Sequence, residues 1–214
     1  MMYLNVEKVL KPYTTVLEIG CGDQPLIAGL ASHKKLEFCR LVAIDFAPSV
    51  VATCKRKALT TSSSSTQDSK LSKCGLNQEY IEMDARSMNF MDQDFDFIVD
   101  KGTIDAMLCD EEKGMHNAAK IFMEVIRCLH NDGGQFMLIS HMEVDSDEFT
   151  QVLVEALTPA LNTKSFLTWK LDAHILPQED SATVYVLKSA LRPQTRSITS
   201  ANQDVSLSMK VHEY

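Results

Sequence analysis

The residues near the start of the chain that could do chemistry are an acid and two glycines, Glu18, Gly20 and Gly22, around an apolar run that ends at Ile19. Glycine has no Cβ, so the two glycines allow a tight turn with positive φ and let a ligand approach the main chain. Pro25 opens the next apolar segment, and this order predicts a buried strand, a turn and the start of a helix. The exposed N–H groups of such a turn suit a carboxylate or a phosphate. A purely structural turn is the alternative.

A second acid, Asp45, ends the apolar run over residues 39–45. In a doubly wound sheet this position borders the ligand crevice, where a carboxylate can accept hydrogen bonds from both ribose hydroxyls of an adenosine. Pro48 opens the next predicted helix, so an ordinary helix N-cap is the alternative role for Asp45.

A third acid, Asp100, belongs to the most specific pattern in the chain. Residues 95–99 form a mostly apolar strand, and Asp100-Lys101-Gly102-Thr103-Ile104-Asp105-Ala106 follows it. The carboxyl end of a central strand lies at the open crevice of an α/β sheet. Asp100 is therefore the candidate for contact with the reacting groups, and a structural turn after the strand is again the alternative.

The elements that must position these acids alternate between strands and helices. Strands are predicted up to Ile19 and over residues 39–45, 80–85, 95–99, 135–140, 165–172 and 183–188. Helices are predicted after the glycine turn and over residues 49–58, 117–129 and 148–158, with Pro159 ending the last one. This alternation predicts an α/β fold that closes with an antiparallel hairpin.

Two of these patterns resemble a known family. Glu18-Ile19-Gly20-Cys21-Gly22 is similar to motif I of the class I S-adenosylmethionine (SAM)-dependent methyltransferases, and Pro25 stands where a dinucleotide fingerprint has its third glycine. Asp-Lys-Gly-Thr-x-Asp-Ala at residues 100–106 resembles a eukaryotic seven-β-strand subgroup of protein lysine methyltransferases, which includes those acting on elongation factor 1A and citrate synthase. The segment 43–48 fits that subgroup as well. The resemblance covers residues 12–190.

The resemblance implies a Rossmann-like sheet of seven mostly parallel strands in the order 3-2-1-4-5-7-6, with an antiparallel seventh strand and helices on both faces. It implies SAM as the cofactor and S-adenosylhomocysteine as its product. Asp100 matches the position where the methyl group meets its acceptor, and it is the implied catalytic residue, positioning either the acceptor or the SAM ammonium. The positions that match the family's cofactor-binding motifs are Glu18, Gly20, Cys21, Gly22, Asp23, Asp45, Phe46, Met83, Asp84, Ala85 and Asp100.

The function implied is protein lysine N-methylation, with a protein as substrate. A small-molecule methyltransferase of the same fold is one alternative, because fold and cofactor motifs do not determine the acceptor. A non-catalytic SAM-fold binding protein is the other alternative. It is suggested because family members carry an upstream aromatic segment that covers the cofactor, whereas only a short segment precedes the first strand here.

Composition narrows the function classes further. The net charge of −8 argues against generic nucleic-acid binding, and it suits a cationic partner or merely solubility. No run of ~18 apolar residues is present, so we expect no membrane span, and no secretory signal is visible. The six cysteines form no Cys-x-x-Cys pair, and the six histidines are scattered, so we expect no metal site. Free thiols favour a reducing compartment, namely the cytoplasm, with a mitochondrial location left open.

The chain is long enough for one domain, which we place at residues 1–190. Residues 60–75 are rich in Ser and Thr and are expected to form a flexible loop within it. Residues 191–214 turn to Ser, Thr, Gln and Arg, and we expect a mostly disordered tail there.

Overall fold

The computed structural model describes residues 14–31, 40–63, 78–175, 182–192 and 206–213. The strands of these ranges are β1 Thr15–Ile19, β2 Arg40–Asp45, β3 Gln78–Glu82, β4 Phe97–Lys101, β5 Gln135–Ser140, β6 Leu167–Ile175, β7 Thr183–Leu191 and β8 Ser206–Glu213. The helices are α1 Leu26–Ala31, α2 Pro48–Ser63, α3 Thr103–Leu108, α4 Gly114–Cys128, α5 Asp147–Gln151 and α6 Thr158–Asn162. A π-helical segment, Val152–Leu157, joins α5 to α6.

The strands form a single sheet in the order β3-β2-β1-β4-β5-β7-β6-β8. Strands β1 to β5 pair in parallel, and β7 is antiparallel to both of its neighbours, β5 and β6. The predicted α/β architecture and the order 3-2-1-4-5-7-6 are therefore confirmed. Because β1 and β4 are parallel, Ile19 lies opposite Asp100. The glycine turn and Asp100 therefore lie together at the carboxyl ends of the parallel strands.

Helices cover both faces of the sheet, as predicted. One face packs against α4 to α6, and its buried residues include Leu17, Ile19, Ile98, Ile121, Phe122, Val125, Ala156 and Leu161. The other face packs against α1 and α2, and its buried residues include Val16, Ile27, Leu41, Val51, Cys54 and Val99. Central strands that are buried on both faces need continuous apolar runs rather than alternation, which is why β1 and β2 were easy to predict.

The C-terminal part departs from the prediction. Strand β7 continues to Leu191, and residues 206–213 form β8, which pairs in parallel with β6, so a disordered tail is wrong for this segment. Residues 193–205 and 214 lie outside the described ranges. β8 alternates apolar and polar residues, and Leu207 packs against the core opposite Trp169. Without β8 the outer edge of β6 would be unpaired, and its hydrogen-bonding groups are the ones that β8 uses.

Two other boundaries also differ. Helix α2 extends to Ser63, so the predicted loop over residues 60–75 is helical at its start, and residues 64–77 lie outside the described ranges. Pro159 does not end a helix, because it lies in the first turn of α6. Proline lacks an N–H and crowds the carbonyl four residues before it, and the wider π-helical turn ahead of α6 accommodates both effects.

Candidate active site

The glycine turn joins β1 to α1, with Gly20 at φ +57° and Gly22 at φ +59°. Glu18 is buried at the end of β1, and its carboxylate accepts hydrogen bonds from the main-chain N–H groups of Leu26 (2.9 Å) and Ile27 (3.0 Å). Burial raises the pKa of Glu18, and these two amides partly oppose the rise. Glu18 thus satisfies the first free N–H groups of α1 and fixes the length of the turn.

Gly20 and Gly22 require glycine for different reasons. A Cβ on Gly20 would overlap Thr103 Oγ1, which itself donates a hydrogen bond to the Ile19 carbonyl (3.1 Å). A Cβ on Gly22 would have no atom of the described residues within 4 Å. Thr103, the first residue of α3, therefore fills the space beside Gly20, whereas the main chain at Gly22 borders open space. Such close access to the main chain is what a ligand-binding glycine turn provides.

Helix α2 holds the outer side of the turn. Cys54 Sγ donates to the Gly22 carbonyl (3.3 Å), and Lys57 Nζ donates to the Asp23 carbonyl (2.6 Å). Cys21 is buried and donates its main-chain N–H to the Ile44 carbonyl (3.0 Å). Burial raises the pKa of its thiol to about 12, so the thiol stays protonated at neutral pH. Cys21 therefore contributes its backbone to the turn and not a reactive sulfur.

Asp45 joins the glycine turn to the next helix. Its Oδ2 accepts from Gly22 N (3.0 Å), and its Oδ1 accepts from Ala47 N (2.9 Å) just before α2. The cap-like contact is therefore real, but each carboxylate oxygen has a second lone pair, so hydrogen bonds from ribose hydroxyls are still possible. The neighbouring Phe46 ring is 74% exposed. Ribose binding by Asp45 and ring contact by Phe46 stay predictions.

The segment after β3 lies beside Asp45, because Met83 N donates to the Asp45 carbonyl (3.0 Å). The half-exposed Asp84 carboxylate pairs with Arg86 (2.7 Å), and this hydrogen bond lowers the pKa of Asp84. Met83 and Ala85 are also partly buried. The three predicted adenine-side residues thus lie together, although an adenine amine would share Asp84 with Arg86. Their contact with adenine stays a prediction.

Asp100 is the next-to-last residue of β4 and is completely buried. Its Oδ1 accepts from Thr103 N (3.1 Å), whereas its Oδ2 has no hydrogen-bond partner among the described residues. Burial raises the pKa of this carboxyl to about 7, and nearby Asp105 adds to the rise. A buried acceptor without a donor costs free energy, and it indicates a site that a bound group completes.

Sequence reasoning missed a second acidic contact at the same edge. Ser140 Oγ donates to Asp105 Oδ1 (2.6 Å), and His141 N donates to Asp105 Oδ2 (3.0 Å). Asp105 belongs to the quoted motif, and Ser140 ends β5 beside β4. The sequence signal that could have predicted this contact is that both residues follow or end neighbouring strands, and so lie at the carboxyl ends of the parallel strands. Within the described ranges, no group of three or more His, Cys, Asp or Glu side chains is placed to hold a metal ion. No described helix is long and apolar enough to cross a membrane.

These features fit SAM. The open main chain at Gly22 suits its methionine portion, and the acids at Asp45 and Asp100 offer acceptors for hydroxyl and ammonium groups. When bound, SAM supplies a methyl group on a sulfonium that is an excellent leaving group. The task left to the chain's own residues is to bind, align and exclude water.

Comparisons with known proteins identify the family. A family model described as "Methyltransferase domain" matches residues 10–188. The human eEF1A lysine and N-terminal methyltransferase is 32% identical over 136 residues, which are 63% of this chain and 17% of that protein. Its Drosophila pseudoobscura homologue is 27% identical over 154 residues, 72% of this chain and 20% of that protein. The chain thus spans a fifth or less of these relatives.

Among solved structures, a SAM-dependent methyltransferase from Methanosarcina mazei superposes with a TM-score of 0.60. It shares 17% sequence identity, and the match covers 89% of this chain and 99% of that one. At this identity the likeness establishes the fold. The chain belongs to the Methyltransferase domain family and has the Rossmann-like fold of the class I SAM-dependent methyltransferases.

Proposed function

We propose that this chain is a SAM-dependent methyltransferase that acts on the side-chain amine of a lysine in a protein. The observation that carries the proposal is the buried Asp100 Oδ2, an acceptor without a donor among the described residues, at the carboxyl end of β4. An amine has N–H groups that can donate hydrogen bonds to this oxygen. The relatives named above support a protein amine as the acceptor, since their names record methylation of eEF1A at a lysine and at the N-terminus.

Asp100 is suited to aligning the amine more than to removing its proton. A lysine has an unperturbed pKa of ~10.4 and must be neutral to attack a methyl group. Burial near apolar residues lowers the pKa of the amine, whereas an ionised Asp100 would raise it. A hydrogen bond from the amine to Oδ2 would fix the direction of its lone pair, and alignment of this kind contributes ~7–11 kcal/mol in favourable cases.

The test is methyl transfer from tritium-labelled SAM into an extract of eukaryotic cells. We expect label in the protein fraction, recovered as methyllysine after acid hydrolysis. Label confined to low-mass compounds would contradict the proposal and favour a small-molecule acceptor. If SAM binds but nothing is labelled, the chain would be a binding protein.

The role of Asp100 is tested with Asp100→Asn, and Asp132→Asn serves as a matched change of an exposed acid. If Asp100 aligns the acceptor, Asp100→Asn keeps most SAM affinity while the methylation rate falls by one to a few orders of magnitude. If Asp100 binds the SAM ammonium instead, affinity and rate fall together. Unchanged affinity and rate would remove the support that Asp100 gives to the proposal.

A further inference from the structure

Asp105 accepts hydrogen bonds at the carboxyl end of β5 with both of its carboxylate oxygens. Oδ1 accepts the hydroxyl of Ser140 at 2.6 Å, and Oδ2 accepts the main-chain N–H of His141 at 3.0 Å. Asp105 lies in the first turn of α3, so these two bonds join that helix to the neighbouring strand. The Ser140 bond is short for a hydroxyl donor and has a charged acceptor, which places it among the stronger hydrogen bonds in proteins.

The hydrogen bonds continue past Ser140 into the sheet. Ser140 Oγ accepts from Met142 N (3.0 Å), and the Met142 carbonyl accepts the hydroxyl of Tyr185 on β7 (2.7 Å). The Tyr185 ring stacks on Phe149 with centroids 4.7 Å apart. Burial raises the pKa of Tyr185 to about 12, so its hydroxyl remains a donor. A continuous set of contacts therefore runs from α3 across the exit of β5 to β7.

This set of contacts borders Asp100 on the side away from the cofactor motifs. In the pairing of β4 with β5, Asp100 lies opposite Leu138 and Lys101 lies opposite Ile139. Ser140 is the next residue of β5 and lies just beyond Lys101, at the carboxyl ends of the two strands. Adjacent strands are ~4.8 Å apart. The glycine turn and Asp45 lie on β1 and β2, on the opposite side of β4 in the sheet order.

We propose that Asp105 is a positioning residue for methyl transfer, which fixes residues 140–142 beside Asp100 and so makes the acceptor side of the crevice rigid before the acceptor arrives. Ser140 and Met142 are buried, so their hydrogen bonds are made inside the protein and hold the segment that carries His141. His141 is exposed at its surface. A rigid wall contributes by alignment, and a displacement of ~1 Å can cost ~100-fold in rate.

The proposal rests on methyl transfer itself and not on lysine as the acceptor. Asp105→Ala removes both acceptor oxygens. We expect kcat at saturating SAM to fall at least ~10-fold while SAM affinity, measured by titration, stays within ~2-fold, because the cofactor side is untouched. Asp105→Asn should restore most of kcat, since its Oδ1 can accept from His141 N and its Nδ2 can donate to Ser140 Oγ.

Ser140→Ala provides a second route if Asp105→Ala folds poorly. It should lower kcat as well, and the double variant should lose little more than Asp105→Ala alone, because both changes break one set of contacts. Hydrogen exchange gives a readout that needs no acceptor: the amides of His141 and Met142 should exchange faster in Asp105→Ala, while that of Cys21 should not.

Wild-type kcat in either single variant, or unchanged exchange at His141 and Met142, would overturn the proposal. A parallel loss of SAM affinity and kcat would also overturn it, because Asp105 would then support the fold or the cofactor side. If lysine is not the acceptor, the label will appear in small molecules. The comparison of kcat and SAM affinity between the Asp105 and Ser140 variants would still be valid in that case.

Discussion

Replacing Asp100 by asparagine is expected to flatten the pH dependence of the protein's stability. Burial raises the pKa of the folded-state carboxyl from 3.8 to about 7. In the unfolded chain the carboxyl is solvated, so its pKa returns to ~3.9. Between these values the folded state holds a proton that the unfolded state has released. The stabilisation is thus complete below ~pH 4 and is lost as the pH rises through the folded-state pKa.

The size of the effect follows from linkage. Between pH 5 and pH 8, this one group removes ~2–3 kcal/mol from the free energy of unfolding of the wild type. The asparagine that replaces Asp100 cannot ionise, so this loss is absent from the variant. The new amide places an N–H donor where Oδ2 has no partner among the described residues, and an unsatisfied buried donor costs ~1–3 kcal/mol at any pH. Only the change in stability between the two pH values is therefore diagnostic.

The assay is urea unfolding of the SAM-free wild type, Asp100→Asn and Asp132→Asn at both pH values. The wild type and the Asp132→Asn control should lose ~2–3 kcal/mol more than Asp100→Asn on going from pH 5 to pH 8. Parallel stability curves for wild type and Asp100→Asn would refute the reasoning. They would mean that the Asp100 carboxylate is solvated or paired in the folded protein.

Three further predictions concern other parts of the fold. Gly20→Ala should lower stability by ~2–4 kcal/mol, since the costs of positive φ and of the overlap with Thr103 add up. Gly22→Ala should cost ~1–2 kcal/mol from positive φ alone but weaken SAM binding; urea unfolding and titration separate the two effects. Asp45→Ala should weaken SAM binding more than ~10-fold in titration, because charge-assisted hydrogen bonds contribute ~1.5–3 kcal/mol. Removing residues 206–214 should lower the melting temperature, since Leu207 packs on the core; an unchanged value would show that β8 adds nothing to stability.

The sheet order was predictable because its central strands carry strong signals. β1, β2 and β4 are buried on both faces and are predicted from their apolar runs. Gly20 follows β1, Asp45 ends β2, and Asp100 is the next-to-last residue of β4. The signal for β8 was weaker. Its apolar residues, Leu207, Met209 and Val211, alternate with polar ones, and the surrounding Ser- and Thr-rich composition favours disorder when it is judged as a whole. That alternation becomes useful only because β6 offers an outer edge with which β8 can pair, and this edge is a tertiary feature.

For the candidate site as well, some features were predictable from the sequence and others were not. Positions at strand ends follow from the order of elements, so the places of Asp45 and Asp100 at the carboxyl ends of their strands were predictable, whereas their roles stay predictions. Partners that are distant in sequence were not. The bond from Ser140 to Asp105 joins residues 35 positions apart, and it depends on the register of β5 against β4. The pairing of Asp84 with Arg86 is close in sequence but requires a particular turn after β3, which propensity does not specify.

Two buried acids at the ends of neighbouring strands show why burial alone does not identify a catalytic group. Glu18 and Asp100 are both almost completely buried, and burial raises the pKa of both. Glu18 has a main-chain donor on each oxygen, so the first turn of α1 already uses its hydrogen-bonding capacity. Among the described residues, Asp100 has donors on Oδ1 alone. A fold gains nothing from an unsatisfied buried oxygen, which lowers stability at neutral pH. The oxygen is useful only when a bound group donates to it, and this difference is why we propose Asp100, rather than Glu18, as the acid on which methyl transfer depends.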